Sequence, residues 1–225
     1  MTALDPPTRH RAGLPGMQHL TRVEDGERLH SLLWRLGDGW RMISSAVLGG
    51  GIGERAWILN AQVGHGYRRI DPDRHLASLA RAAGAHGPGV GLMTAADVRA
   101  YGYALDGGVH AVATAGLGVR GWAASPAEGT VTAPHAGTIN IVATLPVALT
   151  DAALVNAVAT ATEAKVQALL DAGYDCSGTP TDAVCIAARS PRAESEVHAF
   201  AGPRSLWGAR LARAVHEAVR ASAGK

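Results

Sequence analysis

Between Gly137 and Ala188 the chain collects the side chains that amide hydrolysis uses. Thr138 and Asn140 open a β-branched run that ends at Pro146. Glu163 and Lys165 lie in an alanine-rich segment, and the polar turn Ser177–Asp182 adds Thr179, Thr181 and Asp182. Cleaving an amide needs a nucleophile, a route for protons and donors for the developing oxyanion. In this set Thr181 is the preferred nucleophile and Thr138 the second. Glu163 or Asp182 is the general base, or activates water directly. Lys165 assists proton transfer, and Asn140 donates to the oxyanion. A plainer reading stands beside this one. Such turns often only stabilise themselves through Asx or ST bonds, and a lysine stem often packs while its head reaches water. No Gly-x-Ser-x-Gly elbow, His-Glu-x-x-His helix or papain-like cysteine signature is present. A metal held by dispersed His, Asp and Glu stays open, but no metal ligand set is assigned.

These groups need a strand, a helix, a turn and a second strand to hold them. The run from Gly137 is the first strand and Ala183–Ala188 the second, so the polar groups fall at strand ends, where open α/β sheets bind ligands. Thr150 is placed to cap the helix, with Asp151 in its first turn. At helical spacing Leu154, Val155, Val158, Ala161, Val166 and Leu169 share one broad face. Thr162 falls near the middle of that face, Lys165 just inside its edge, and Glu163 well away from it. A buried lysine is rare without a partner, so Lys165 is expected to meet a carboxylate or line a pocket. Glu163 and Lys165 project differently, so both reach one carbonyl only if the helix bends; otherwise only one of them acts.

The rest of the chain supports that unit. Residues 1–26 read as a flexible tail. His30–Leu36 and Trp40–Leu48 read as strands, with Gly37–Gly39 as a hairpin between them. Gly51 and Gly53 with Ala56 superficially fit a dinucleotide fingerprint, but residues 56–63 look like a strand where that motif needs a helix. A substrate-facing loop or a plain turn are the other readings. Asp71 and Pro72 start a helix that Gly84 ends. Gly89–Thr94 and Val109–Gly118 are further strands, Ser125–His135 is a loop, and Arg204–Ala221 is a final helix with Leu206, Leu211, Val215 and Val219 inward. The expected fold class is α/β, a single domain over residues 27–225 with a mixed β-sheet and flanking helices.

Composition bounds the function class. At 225 residues with 47% hydrophobic and 18% charged residues, the chain is globular. A net charge of +2 is too small for a nucleic-acid footprint, so no nucleic-acid partner is expected. No apolar run approaches the ~20 residues of a membrane span, and no membrane partner is expected. Two cysteines without metal-ligand spacing and the absence of a secretory leader give a cytoplasmic expectation. The sequence is compatible with a homo-oligomer and does not fix one.

Several segments in order resemble the adenosylcobinamide amidohydrolase family of corrinoid salvage. They are Gly91–Ala96, Thr114–Gly116, Gly137–Ile141, Thr162–Lys165, Gly178–Asp182 and Phe200–Gly202, with Asn60 and Val63 ahead of Asp71 and Pro72. The resemblance spans roughly residues 48–219. It implies hydrolysis of the aminopropanol amide of adenosylcobinamide to adenosylcobyric acid and 1-amino-2-propanol, with a small-molecule corrinoid as substrate and partner. It implies no cofactor; cobalt enters only with the substrate. On the same basis Asn60, Thr94, Thr114, Gly116 and Thr179 are expected to bind substrate. Trp57, Trp122, Tyr101 and Tyr103 are candidate aromatic walls of a wide pocket, with ordinary packing as the alternative, and His110 or His135 are weak candidates to ligate the substrate's cobalt. Asp73 and His75 match the start of the Asp-x-His-x-x-Gly motif that supplies a cobalt-ligating histidine in some B12 enzymes. Ser78 replaces its glycine, so His75 is expected on the exposed side of its helix. The competing functions are a non-catalytic corrinoid-binding protein, a hydrolase of the same scaffold acting on an unrelated amide or lactone, and, from Gly51–Ala56 alone, a dinucleotide-dependent oxidoreductase.

Overall fold

The expected mixed sheet is two mixed sheets stacked face to face. In the computed structural model, which describes residues 16–126 and 137–224, the smaller sheet has the order β1-β2-β5-β6. Its strands are β1 (Met17–Glu24), β2 (Glu27–Arg35), β5 (Trp57–Gln62) and β6 (Gly89–Thr94). The larger sheet runs β4-β3-β10-β9-β8-β7, with β11 paired to β9. It contains β3 (Trp40–Ser44), β4 (Gly51–Glu54), β7 (Gly102–Asp106), β8 (Val109–Ala115), β9 (Ile139–Leu149), β10 (Ala183–Arg189) and β11 (Val197–His198). Helix α1 (Pro72–Ala82) covers the outer face of the small sheet, while α2 (Asp151–Asp171) and α3 (Leu206–Ala223) cover that of the large one. The result is four layers: helix, sheet, sheet, helices.

Alternation along the strands assigns each side chain to one of three cores. In β2, Leu32 and Trp34 face the space between the sheets, while Leu33 packs under α1. In β9, Val142 faces the small sheet, while Ile139, Ile141 and Ala143 pack under α2 and α3. By the same parity Asn140 also faces the small sheet. Thr114 beside Val112 does the same, and Asn60 beside Ile58 and Thr94 beside Leu92 face the large sheet in return. Four polar residues therefore lie at one end of an otherwise apolar inter-sheet core.

Two expectations about the first half are corrected. Residues 17–24 are not part of a tail, because Met17–Glu24 is an edge strand in full antiparallel register with β2. Its alternation of half-buried and exposed residues lacks a bulky apolar run. Residues 1–15 lie outside the described residues. Gly37–Gly39 is not a hairpin either, since β2 and β3 belong to different sheets. Gly37 and Gly39 both adopt positive φ, 71° and 83°, and carry the chain from one sheet to the other. The peptide nitrogens of Leu36 and Gly37 donate to the Ala56 carbonyl at 2.9 and 3.0 Å. Residues 57–62 do form a strand, so Gly51–Ala56 does not open the helix a dinucleotide site requires.

The central unit folds as the spacing indicates. β9 and β10 are parallel neighbours joined by α2, and the Thr150 hydroxyl accepts the Ala153 N–H at 3.1 Å as N-cap. The buried face of α2 is nevertheless rotated from the one its larger residues suggest. It consists of Ala153, Leu154, Ala157, Thr160, Ala161, Ala164, Lys165, Ala168 and Leu169, while Val155 is 58% exposed and Thr162 faces solvent. Alanines let α2 lie close to β10 and α3, so small residues rather than valines mark the contact surface. In α3, Leu211, Val215 and Val219 point inward as expected, and Leu206 is exposed.

Candidate active site

The segments that precede β9 and β10 meet directly. The hydroxyls of Thr138 and Thr181 are 2.6 Å apart. Thr181 Oγ1 donates to the Gly137 carbonyl at 3.0 Å, which leaves Thr138 to donate to Thr181. Thr179 Oγ1 shares its proton between the Gly137 carbonyl at 2.8 Å and Asp182 Oδ1 at 2.5 Å. Asp182 ties the knot. Its Oδ1 also accepts from the Ile139 N–H at 2.9 Å, and its Oδ2 accepts from Thr179 N at 3.2 Å and Lys165 Nζ at 2.5 Å. Strand register explains the meeting, since Asn140 is paired with Ala183, one residue after Asp182.

Lys165 thus has the carboxylate its burial demands. Both partners are largely withdrawn from water, with side-chain exposures of 10% and 12%. Gly178 is required beside them. A Cβ there would stand 2.2 Å from Asp182 Oδ2 and 2.6 Å from Lys165 Nζ. Thr181 is the exposed member of the cluster, while Thr138 is buried behind it. Thr181, Asp182 and Ala183 line a cleft of about 320 Å³ closed by Ser45–Val47 and by Leu92 and Met93 of β6. Larger surface clefts, about 400 Å³ beside Tyr67 and about 420 Å³ beside Arg213, lie among other residues. Size alone would choose one of those; the chemistry chooses the smaller cleft.

The polar end of the inter-sheet core lies against this cluster. Asn140 Nδ2 donates to Asn60 Oδ1 at 2.8 Å and to the Met93 carbonyl at 3.0 Å, and Asn60 Nδ2 donates to Thr114 Oγ1 at 3.0 Å. Asn140 therefore has both N–H groups committed and does not act as an oxyanion donor, contrary to expectation. Asn60, Thr94 and Thr114 are at most 2% exposed. Asn60 and Thr114 bond one sheet to the other, and Thr94 Oγ1 accepts locally from Ala96 N at 3.0 Å. Gly116 N donates to the Thr138 carbonyl at 2.9 Å, so Gly116 and Thr179 position the cluster.

Other candidates lie apart from it. Glu163 is on the exposed side of α2 and makes no described bond to the cluster, so its role as base is not supported. Asp182 accepts from four donors, two of them backbone N–H groups. The site also lies at the amino ends of β9 and β10, not at the carboxyl ends typical of open parallel sheets. The carboxyl end of β6 and residues 45–47 supply its other wall. Tyr101 and Trp57 are core residues, Tyr103 bonds His110 Nδ1 at 2.9 Å, and Trp122 is 44% exposed with its indole N–H on Asp175 Oδ1 at 3.2 Å. His135 lies outside the described residues, as does most of the expected Ser125–His135 loop. Both cysteines are buried, and burial pushes the Cys185 thiol up to about 12, which removes it as a nucleophile.

A second buried polar group escaped the sequence reading. His75 is 4% exposed, not at the surface. Its Nδ1 lies 3.0 Å from the Tyr67 hydroxyl and its Nε2 3.1 Å from Glu24 Oε1, while Arg22 Nε donates to Glu24 Oε2 at 2.8 Å. The strand β1 that carries Glu24 was read as tail, so no partner for His75 was visible.

A sequence model of the family described as CbiZ, adenosylcobinamide amidohydrolase, matches residues 15–225. An adenosylcobinamide amidohydrolase of Methanosarcina mazei is 31% identical over 183 residues, 79% of this chain and 87% of that protein. One of Halobacterium salinarum is 46% identical over 87 residues, 38% of this chain and 36% of that protein. Among solved structures, the PH0078 protein of Pyrococcus horikoshii OT3 superposes with a TM-score of 0.50 at 12% identity. The match covers 92% of this chain and 83% of that one, a likeness of fold. Among the described residues no helix is long and apolar enough to cross a membrane.

Proposed function

The chain belongs to the adenosylcobinamide amidohydrolase family, and from that premise we propose that it cuts the aminopropanol amide of adenosylcobinamide. The products are adenosylcobyric acid and 1-amino-2-propanol, so the reaction serves corrinoid salvage in the cytoplasm. The observation that carries this reading is the exposed Thr181 hydroxyl, backed by the buried Lys165–Asp182 pair, at the mouth of a cleft. A cleft of about 320 Å³ admits a side arm and not a macrocycle. The corrin ring rests outside while its aminopropanol arm enters.

In this reading Thr181 Oγ1 attacks the amide carbonyl and forms an ester, and water then releases the acid. The proton lost by Thr181 and the proton gained by the departing nitrogen balance. Lys165, held by Asp182 through one of its three N–H groups, gives a proton to the departing nitrogen and takes the Thr181 proton in its place, so it ends as it began. Asp182 orients Lys165, and Thr138 orients Thr181. No resident cofactor enters the scheme. The test is incubation of purified protein with adenosylcobinamide and assay of both products. Stoichiometric cobyric acid and aminopropanol are expected. Tight corrinoid binding without aminopropanol release would instead indicate a carrier, and no corrinoid binding would indicate a hydrolase of another amide.

A further inference from the structure

One wall of the cleft beside Thr181 is an exposed segment held in place by a short run of hydrogen bonds. Ser45 N and Ser44 Oγ both donate to the Val184 carbonyl, at 3.1 and 2.9 Å. In return Val184 N donates to Ser45 Oγ at 3.1 Å, and Ala46 N donates to Ser44 Oγ at 3.0 Å. Residues 44–46 are thereby laced to β10 just beyond the regular β3–β10 register, which ends at Ser44 and Cys185. Ser45 is nonetheless exposed, and it lines the cleft together with Thr181. Accepting the Val184 N–H fixes where the Ser45 hydroxyl stands and leaves its proton unspent. No acceptor among the described residues takes that proton. A proton exposed to solvent assigns no ligand by itself; the make-up of the cleft does.

Among the described residues lining the cleft, only Ser45, Thr181 and Asp182 have polar side chains. Asp182 accepts from four donors, which uses the sites a carboxylate offers. Thr181 is taken by the amide carbon in the proposed reaction. Ser45 is then the polar side chain left for the rest of the arm, and Ala46, Val47, Leu92, Met93 and Ala183 around it are apolar. Beyond its amide an aminopropanol arm carries one hydroxyl and one methyl, which matches one donor set in an apolar wall. The reach also fits. Ser45 is bonded to Val184, three residues on from Thr181, at most about 11 Å along the chain. An arm with its carbonyl carbon at Thr181 carries its hydroxyl oxygen four bonds further, so one bound arm touches both. We propose that the Ser45 hydroxyl donates to the hydroxyl oxygen of the departing amino alcohol, which makes Ser45 a specificity residue for hydroxyalkyl arms. This rests on the proposed function above and names what that site recognises. The donor is positioned before substrate arrives, so little ordering opposes the bond.

The test compares adenosylcobinamide with the propylamide of adenosylcobyric acid, in which hydrogen replaces the arm's hydroxyl. Initial rates give kcat and KM for both compounds with wild-type protein and with Ser45→Ala. Wild-type protein is expected to prefer adenosylcobinamide about threefold to tenfold in kcat/KM, the range of one neutral hydrogen bond. The difference should lie mainly in KM, because the hydroxyl takes no part in breaking the amide bond. In Ser45→Ala the preference is expected to fall to within about twofold of none, with adenosylcobinamide dropping toward the propylamide. Should the loss of the Val184 contact unfold that variant, Ser45→Cys keeps a weak acceptor there with a poor donor and should show the same loss of preference. Equal kcat/KM for the two compounds in the wild type overturns the inference and needs no variant. An undiminished preference in a folded variant overturns it as well, and an equal loss on both compounds would set the hydroxyl at the carbonyl instead. Wild-type turnover of adenosylcobinamide without any preference would sink this inference and spare the proposed function. Turnover of neither compound would sink both.

Discussion

Two β-α-β units of this molecule bury the same kind of polar device and use it differently. In β9-α2-β10 the crossover helix offers Lys165 to Asp182; in β5-α1-β6 it offers His75 to Glu24 and Tyr67. Both helix residues are under 10% exposed, and both meet a carboxylate from another element. The first pair lies beside an exposed hydroxyl and a cleft. The second fastens the start of α1 to edge strand β1, with Arg22 also donating to the Gln62 carbonyl at 2.6 Å. A buried polar contact with a carboxylate is therefore not a signature of catalysis. What distinguishes the first is an exposed hydroxyl, Thr181, at a cleft.

The sharpest way to break the comparison is Thr181→Ala. It should lower kcat on the order of 10³-fold or more if Thr181 is the nucleophile, while urea unfolding moves by no more than about 0.5 kcal/mol, as for an exposed residue. Retained turnover would reduce the Lys165–Asp182 pair to the structural role of its counterpart. Next is Asp182→Ala, which leaves Lys165 without its counter-charge and the Thr179 and Ile139 donors without their acceptor. Urea denaturation should show a loss of about 3–5 kcal/mol, with turnover falling as well. Asp182→Ala with wild-type stability would show that the knot is not held by this carboxylate.

His75→Gln should act on stability more than on turnover. Losing the bonds to Tyr67 and Glu24 is expected to cost about 1–3 kcal/mol, with kcat within a few-fold of wild type. The change also has a pH signature. Burial holds the His75 pKa below its ordinary value of 6.5, against the attraction of Glu24. The unfolded chain then binds the proton more readily, so the contribution of His75 is present above about 6.5 and is lost as pH falls toward its folded value. Unfolding curves across that window should be flatter for His75→Gln than for wild type, and parallel slopes would refute the assignment. Glu163→Ala should do least: turnover within about twofold and stability within about 0.5 kcal/mol. A large loss of turnover would restore Glu163 as the base.

Several parts of this arrangement were legible in the chain. The Thr150 cap, the strands on either side of α2 and the need of Lys165 for a carboxylate rest on rules that act over a few residues. Strand parity would also have placed Asn60, Thr94, Thr114 and Asn140 inside, had each strand's apolar register been followed through. Other features resisted for definite reasons. Two glycines between strands look like a hairpin whether the next strand returns to the same sheet or starts another. Val155 outweighs alanine on any hydropathy measure, yet close helix packing selects alanine. His75 looked exposed because its partners, Glu24 and Tyr67, come from outside its helix.

Sequence alone determined the family resemblance, the strand, helix, turn and strand of the central unit, and the need of a lysine on α2 for a counter-charge. Tertiary structure decided which carboxylate neutralises it. It chose Asp182 across the turn over Glu163 two residues away, because a helix turns Glu163 to the opposite side while parallel strand register brings Asp182 underneath. It also decided that the amide nitrogen of Asn140 is spent on the small sheet and its oxygen is not. Spacing along a chain fixes which way a side chain points relative to its own element. Only the packing of one sheet on another fixes what it meets there.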